Sequence, residues 1–456
     1  MLPRIQTASD SPHLETEFGQ PFLWLADTAW ELLQRLRPEE IQHYLELRAA
    51  QGFNVVQVVA LTELGELRAN ALGETPLIDL DPLRPNPAFF ALLDSVLERA
   101  AALGMYVALL PTWGDKLTPN WGAGPVVFDA ANAFGYASWL ALRYRECPNL
   151  IWMLGGDRPA VFERDGAQFD HRPIWREMAR GILEATGGRA LLLYHPPGGG
   201  ELRTALSLHG EPWLMVNAMQ SGHGGGHDQP VWDWIGQDLA RAPHKPVLDL
   251  EPNYEDHPVN PWPSFDPANG YFRDHDVRKQ LWRGLLAGAC GMTYGHHAVW
   301  QFYAPGREVI NHADRTWFEA MQRPGAVQAG VMRRCLEAFL PRSWPAQELL
   351  ASGVGEGASH VRAARNEGWS RALVYVPNTQ VIRLRLEKFA VSTGQVLAGQ
   401  VFAGQVFAGQ ILARWFDPRT GYEQTVGVFK AEGERLFATP TDGPDWVLML
   451  EAVGFS

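Results

Sequence analysis

Asp157 and Glu251 are the two residues of this sequence best placed to do chemistry. Each follows directly on a short apolar run, LIWMLGG before Asp157 and PVLDL before Glu251. A pair of carboxyl groups is what glycosidic bond cleavage needs. One protonates the departing oxygen, and the other attacks or stabilises the anomeric carbon. Gly155 and Gly156 leave room for a ligand to approach the backbone beside Asp157, and Pro252 fixes the chain after Glu251.

Polar and aromatic residues follow the other apolar runs in the same way. They are Asp27 and Trp30, then Thr62 and Glu63, then Trp113, Asp115 and Lys116. Arg158 lies beside Asp157, and His195, Gln220, Ser221 and His223 follow the next runs. The last groups are Tyr254 and Glu255 after Glu251, and His296, His297, Trp300 and Gln301 near residue 300. Most of these read as a sugar-binding set around the two acids: Asp27, Trp30, Trp113, Asp115, Lys116, Arg158, His195, Gln220, His223, Tyr254, His296, His297 and Trp300. Some of the 18 tryptophans are then stacking platforms, because the CH faces of a sugar sit well on an indole.

The elements that must position these residues are eight apolar runs, at 22–26, 53–59, 105–111, 150–154, 190–194, 213–218, 246–250 and 291–294. They are rich in Val, Leu, Ile and aromatics without clean alternation, as in parallel strands buried on both faces. Helical patterns separate them. Pro38 opens one that Gly52 ends, and Asn86-Pro87 opens another that Gly104 closes. Asp129 is placed to cap a third, and Pro173 begins a fourth that stops at Gly187. Between the fifth and sixth runs only a short helix fits. Strand and helix repeated eight times predict a (β/α)8 TIM barrel, with the reactive groups at the strand C-termini. In that fold strands four and seven face each other across the mouth, so Asp157 and Glu251 converge. A doubly wound sheet is the runner-up, but no GxGxxG follows the first strand.

After about residue 346 short β-type runs at 372–376, 381–386, 413–416 and 446–450 predict a small antiparallel β-sandwich. The expected division is a catalytic barrel over 1–345 and the sandwich over 346–456. Residues 396–410 are a tandem repeat, VLAGQ, VFAGQ, VFAGQ. Its odd period flips strand phase with each unit, so it reads as a surface hairpin or loop lengthened by slippage; an adhesive strand edge is the alternative.

With 456 residues, 46% hydrophobic and 20% charged, the chain is long enough for two folded domains. A net charge of -12 argues against nucleic acid or an acidic membrane surface as partner. Three scattered cysteines form neither a disulfide framework nor a zinc motif. The first twelve residues hold no apolar stretch of a secretion signal, so the expectation is cytoplasmic; a signal upstream would make the protein secreted or periplasmic. Nothing in the sequence assigns an oligomeric state.

The segments PFLWLADTAWELLQRL, GFNVVQVVAL, LLPTWGDK, NLIWMLGGDRP, YHPPGG, MQSGHG, EPNYEDHP and YGHHAVWQFY resemble the apiosidase-like glycoside hydrolases, glycoside hydrolase family 140 and relatives. The resemblance extends through RWFDPRTG in that family's C-terminal collagen-binding-type domain and covers nearly the whole chain. It implies a retaining barrel enzyme with an Asp after strand four and a Glu after strand seven, matching Asp157 as acid/base and Glu251 as nucleophile. It also implies a plant cell-wall polysaccharide side chain as substrate, with apiose the known case; no cofactor is expected. Two other readings stay open. His223, His227, His296 and His297 allow a metal-dependent hydrolase on the same barrel, although no HxH ends strand one. A catalytically inactive carbohydrate-binding protein is the third, and the intact acid pair speaks against it.

Overall fold

The computed structural model describes residues 2–9, 11–118, 120–389 and 409–453. Eight parallel strands form one sheet: β1 (Trp24–Thr28), β2 (Val55–Val59), β3 (Tyr106–Leu110), β4 (Leu150–Gly155), β5 (Leu192–His195), β6 (Asn217–Met219), β7 (Val247–Asp249) and β8 (Gly291–Tyr294). Their order is β5-β4-β3-β2-β1-β8-β7-β6, and a parallel bridge between Leu193 and Val216 joins the two ends. The TIM barrel is therefore closed.

Apolar residues fill both faces of the strands, and their parity separates the two. Trp24, Ala26, Val55, Val59, Ala108, Leu110, Ile151 and Met153 fill the barrel interior. Leu25, Val56, Val58, Val107, Leu109, Trp152 and Leu154 pack outward against the helices. That is why the sequence shows continuous apolar runs and no alternation. A three-stranded sheet (Ile5–Thr7, Leu14–Thr16, Pro21–Phe22) places Ile5 and Leu14 in the interior cluster.

A main helix follows each strand: α1 (Pro38–Gln51), α2 (Pro87–Ala102), α3 (Ala133–Tyr144), α4 (Arg172–Thr186), α5 (Thr204–Ser207), α6 (Val231–Leu239), α7 (Asp274–Leu286) and α8 (Pro324–Phe339), with extra single turns at Leu32–Arg35, His297–Trp300 and Trp317–Ala320. Their ends follow local chemistry. Asn86 caps α2 by accepting from the Ala88 N–H, and Gly52 and Gly187 end α1 and α4 in the left-handed conformation. α5 is only four residues long, as the spacing required. Asp129 caps the turn before α3, accepting from Ala131 and Asn132, while the helix itself begins at Ala133.

The C-terminal part is a β-sandwich. Its larger sheet orders the strands Trp344–Pro345, Arg362–Arg365, Arg371–Val376, Trp446–Val453, Gln410–Phe416 and Glu423–Lys430, and a second sheet holds Leu350–Ser352, Val381–Arg385 and Glu434–Ala438. Every pairing is antiparallel. Residues 396–408 of the pentapeptide repeat lie outside the described residues. Among the described residues no helix is long and apolar enough to cross a membrane.

α7 belongs to both halves. Val277 through Leu286 are all buried. Arg278 forms a two-pronged ion pair with Asp445 (2.6 and 2.8 Å), and Tyr375 donates to the same carboxylate at 2.8 Å. Trp282 lies parallel to the Tyr375 ring, 5.9 Å away, and Arg283 donates to the carbonyls of Gly357, Ala358 and His360.

Candidate active site

A cavity of about 610 Å³ opens at the C-terminal ends of the barrel strands. Asp157 and Glu251 both line it, together with Trp30, Trp113, Gln220, His223, Tyr254 and Trp300 from the expected set.

Glu251 sits two residues beyond β7, held by histidines from the neighbouring strands. His223 Nε2 lies 3.0 Å from Oε1 in a hydrogen bond. His195 Nε2 lies 3.2 Å from Oε2, within ion-pairing reach. Burial alone would push the Glu251 carboxyl up. Hydrogen bonding and charge from His195 and His223 outweigh it and hold the group at about 2. Behind this pair runs a relay: Gln280 of α7 donates to Ser221 and accepts from the Asn253 N–H, and Asn253 accepts from the His223 N–H. Ser221 Oγ in turn donates to Asp249 of β7.

Asp157 follows Gly155 and Gly156 with φ of +52°, in the left-handed region. The glycines make room for protein, not for ligand as expected from the sequence. A Cβ on Gly155 would lie 2.3 Å from the His195 carbonyl oxygen, and one on Gly156 2.8 Å from the Gly114 nitrogen. Arg158 turns towards Asp157 and donates to Oδ2 at 2.9 Å, while the Trp121 indole donates to the same oxygen at 3.3 Å. Burial pushes the Asp157 carboxyl up, Arg158 opposes that and Glu251 adds to it; the net position is above the ordinary aspartate value.

Aromatic groups form the wall. Trp30 packs 5.1 Å from Trp113 and at right angles to His195, and its indole donates to the Tyr254 hydroxyl at 3.2 Å. His223 stacks on His257 at 4.2 Å. Arg158, His195 and His297 stand just behind, touching Asp157, Glu251 and Trp300 respectively.

Seven expected binding residues do not line the cavity: besides Arg158, His195 and His297, four are engaged elsewhere. Asp27 shares the outward parity of Leu25 and is fully buried against α1, where Tyr44 and Arg48 each donate to it at 2.6 Å. Asp115 and Lys116 pair with each other at 2.8 Å and clasp Gly124 through its N–H and carbonyl, so they fold the loop that carries Trp121. His296 caps a short helix through the Ala298 N–H and lies 3.2 Å from Asp256.

The four histidines of the metal reading go to separate partners: His223 to Glu251, His227 to Asp276, His296 to Asp256 and His297 to the carbonyls of Ile310 and Asn311. Among the described residues no group of three or more His, Cys, Asp and Glu is arranged to hold a metal.

Several cavity residues were not in the expected set: Glu63, Trp121, His257 and Trp262. Trp121 and Trp262 are well exposed at the rim. Their signal in the sequence is a tryptophan set among prolines and glycines (TPNWGAGP, NPWPSF), where no regular element can bury it.

A family model described as "Apiosidase-like, catalytic domain" matches residues 8–341. The chain belongs to the apiosidase-like family. A second model, "Putative collagen-binding domain of a collagenase", matches residues 391–451. No curated protein matches the chain. Among solved structures, a glycoside hydrolase family 5 protein from Bacteroides vulgatus superposes with a TM-score of 0.84 at 26% identity, covering 98% of this chain and 93% of that one. A protein described as a glycoside hydrolase gives 0.83 at 26% identity, with 98% and 97% covered. A third, described as a "putative glycoside hydrolase" from B. vulgatus, shares the fold at 0.67 and 15% identity, with 99% and 82% covered. This apiosidase-like protein is thus a TIM-barrel glycoside hydrolase, and its substrate is a carbohydrate.

Proposed function

We propose that this apiosidase-like enzyme hydrolyses side chains of plant cell-wall polysaccharides, apiose-containing ones first among them, with retention of configuration. One observation carries the mechanism: two carboxyl groups in one cavity are pushed in opposite directions, Asp157 up and Glu251 down to about 2. Such a split separates an acid from an anion at the same pH.

In the first step the Glu251 carboxylate attacks the anomeric carbon. The bond to the leaving oxygen breaks, and Asp157 gives that oxygen its proton. In the second step Asp157, now ionised, takes a proton from a water that attacks the same carbon and releases Glu251. His195 and His223 hold the Glu251 carboxyl in place and keep it unprotonated. Trp30, Trp113 and Tyr254 offer faces for the sugar, and Trp121 and Trp262 at the rim offer platforms for what is attached to it. The substrate class rests on the family match.

The two variants differ in kind. Glu251→Ala should lose activity on every substrate. Asp157→Ala should keep more activity on aryl glycosides with good leaving groups than on alkyl glycosides, and azide should accelerate it to a glycosyl azide of retained configuration. An inverted azide product, or azide rescue of Glu251→Ala alone, would refute this assignment of roles. A screen of aryl glycosides and pectic oligosaccharides, apiosides included, tests the substrate; no turnover of any apioside would remove apiose from it.

A further inference from the structure

Two loops at the cavity mouth present backbone where the rest of the wall presents rings. Gly198 and Gly199 follow β5, Gly224 and Gly225 follow β6, and all four line the cavity and are exposed. Two of them have a reason within the chain. Gly199 has a φ of +117°, and a Cβ on Gly225 would collide with the Gln229 amide. Gly198 and Gly224 have no such reason. Neither adopts the left-handed conformation. A Cβ on Gly224 would find nothing within 4 Å, and one on Gly198 would make only ordinary contact, 3.6 Å from the Gln220 carboxamide. What a side chain at either position would fill is the cavity itself.

A buried polar group is left unspent beside this strip. Gln220 is 7% exposed and lines the cavity alongside Gly198, and its Oε1 has no hydrogen-bond partner among the described residues. Leaving such an amide unpaired is costly, and a ligand hydroxyl that reached it would supply the missing bond.

The strip also has a side. Two arcs of the barrel join β4 to β7. The arc through β3, β2, β1 and β8 carries the rings of Trp113, Trp30 and Trp300, which suit the CH faces of the reacting sugar. The arc through β5 and β6 carries the glycines. Asp157 stands between them, and on its β3 side the Trp121 indole and Arg158 already fill the space beside the carboxyl. The open side of Asp157 is the glycine side.

We propose that Gly198, Gly199 and Gly224, with Gln220, form the leaving-group subsite, and that it takes at least one further sugar of a carbohydrate chain. That sugar lies against bare backbone and sets a hydroxyl at the Gln220 carboxamide. The proposal rests on Asp157 being the acid/base.

A glycosyl fluoride leaves the strip empty, whereas an oligosaccharide must cover it. The quantity to measure is kcat/KM on a pectic oligosaccharide divided by kcat/KM on the fluoride of the sugar it releases, apiose first. Gly198→Leu and Gly224→Leu, which fill the strip, should each lower this ratio about tenfold or more. Gln220→Ala should lower it severalfold, through KM for the oligosaccharide. An equal loss on both substrates, or an unchanged ratio in either leucine variant, overturns the proposal. Hydrogen exchange gives a reading without turnover. With Glu251→Gln holding the pectic oligosaccharide uncleaved, the amides of 198–200 and 222–226 should exchange more slowly than with the free monosaccharide. No slowing there overturns the proposal too. Failure of the acid/base role looks different, because Asp157→Ala would then lose as much activity on the fluoride, which needs no proton to depart, as on the oligosaccharide.

Discussion

What each carboxyl meets at its oxygens separates Asp157 from Glu251 more than burial does, since burial acts on both in the same sense. Glu251 meets two histidine rings, and Asp157 meets a guanidinium that is also engaged elsewhere. In the mechanism we propose, the reactive form needs Glu251 ionised and Asp157 protonated. It appears as pH rises through about 2 and is lost as pH rises through the raised Asp157 value. The pH profile of kcat/KM on an alkyl glycoside should therefore be a bell with a very acidic lower limb. His223→Ala removes the hydrogen bond that Glu251 accepts at Oε1. Its lower limb should move towards the ordinary glutamate range, with kcat/KM falling on the order of tenfold or more. A lower limb that stays where it was would show that His223 does not tune Glu251.

Elements fix where these groups stand. Gly155 and Gly156 end β4 with φ of +88° and +109°, which turns the chain so that Asp157 faces the cavity. Gly155→Ala brings a Cβ against the His195 carbonyl in a conformation that already costs alanine about 1–3 kcal/mol. The expected result is a lowered Tm and, because Asp157 and His195 both shift, roughly a hundredfold loss of kcat. Wild-type activity in this variant would mean that the turn adapts freely. Much of this architecture was legible in the sequence. Eight apolar runs could be counted because parallel strands in a barrel are apolar on both faces. The same property concealed which way each side chain points, so Asp27, outward beside Leu25, could not be told from an inward acid. The run at 213–218 began too early, because Trp213 and Leu214 are buried against the helical layer and strand pairing starts at Val216. Asp115 and Lys116 stood at a strand end as expected, but their charges are spent on each other and on the loop backbone. Trp121 and Trp262 reach the mouth on loops whose course no periodicity encodes.

At the scale of the whole molecule, the sandwich supports the barrel through α7. Gln280, which holds Ser221 and Asn253 behind Glu251, lies on the same helix as Arg278, which the sandwich grips through Asp445. Among the described residues, Asp445→Ala would leave a buried guanidinium with only Asp274 and Gln328 as partners. It should cost about 3 kcal/mol of stability in urea denaturation. Below its lowered Tm the variant should still turn over substrate, because no cavity residue is changed. A loss under about 1 kcal/mol would show that Asp274 and Gln328 suffice on their own.

Sharing α7 also restricts how genes for such enzymes can recombine. A crossover near residue 345 would join one parent's α7 to another parent's strands Arg362–Arg365, Arg371–Val376 and Trp446–Val453. The stacked Trp282 and Tyr375, the Arg278–Asp445 pair and the carbonyls read by Arg283 would then come from different lineages. Viable chimeras should be those in which both parents carry matching residues at these positions, or in which α7 travels with the sandwich. Heredity would then treat the last turn of the barrel and the C-terminal domain as one cassette.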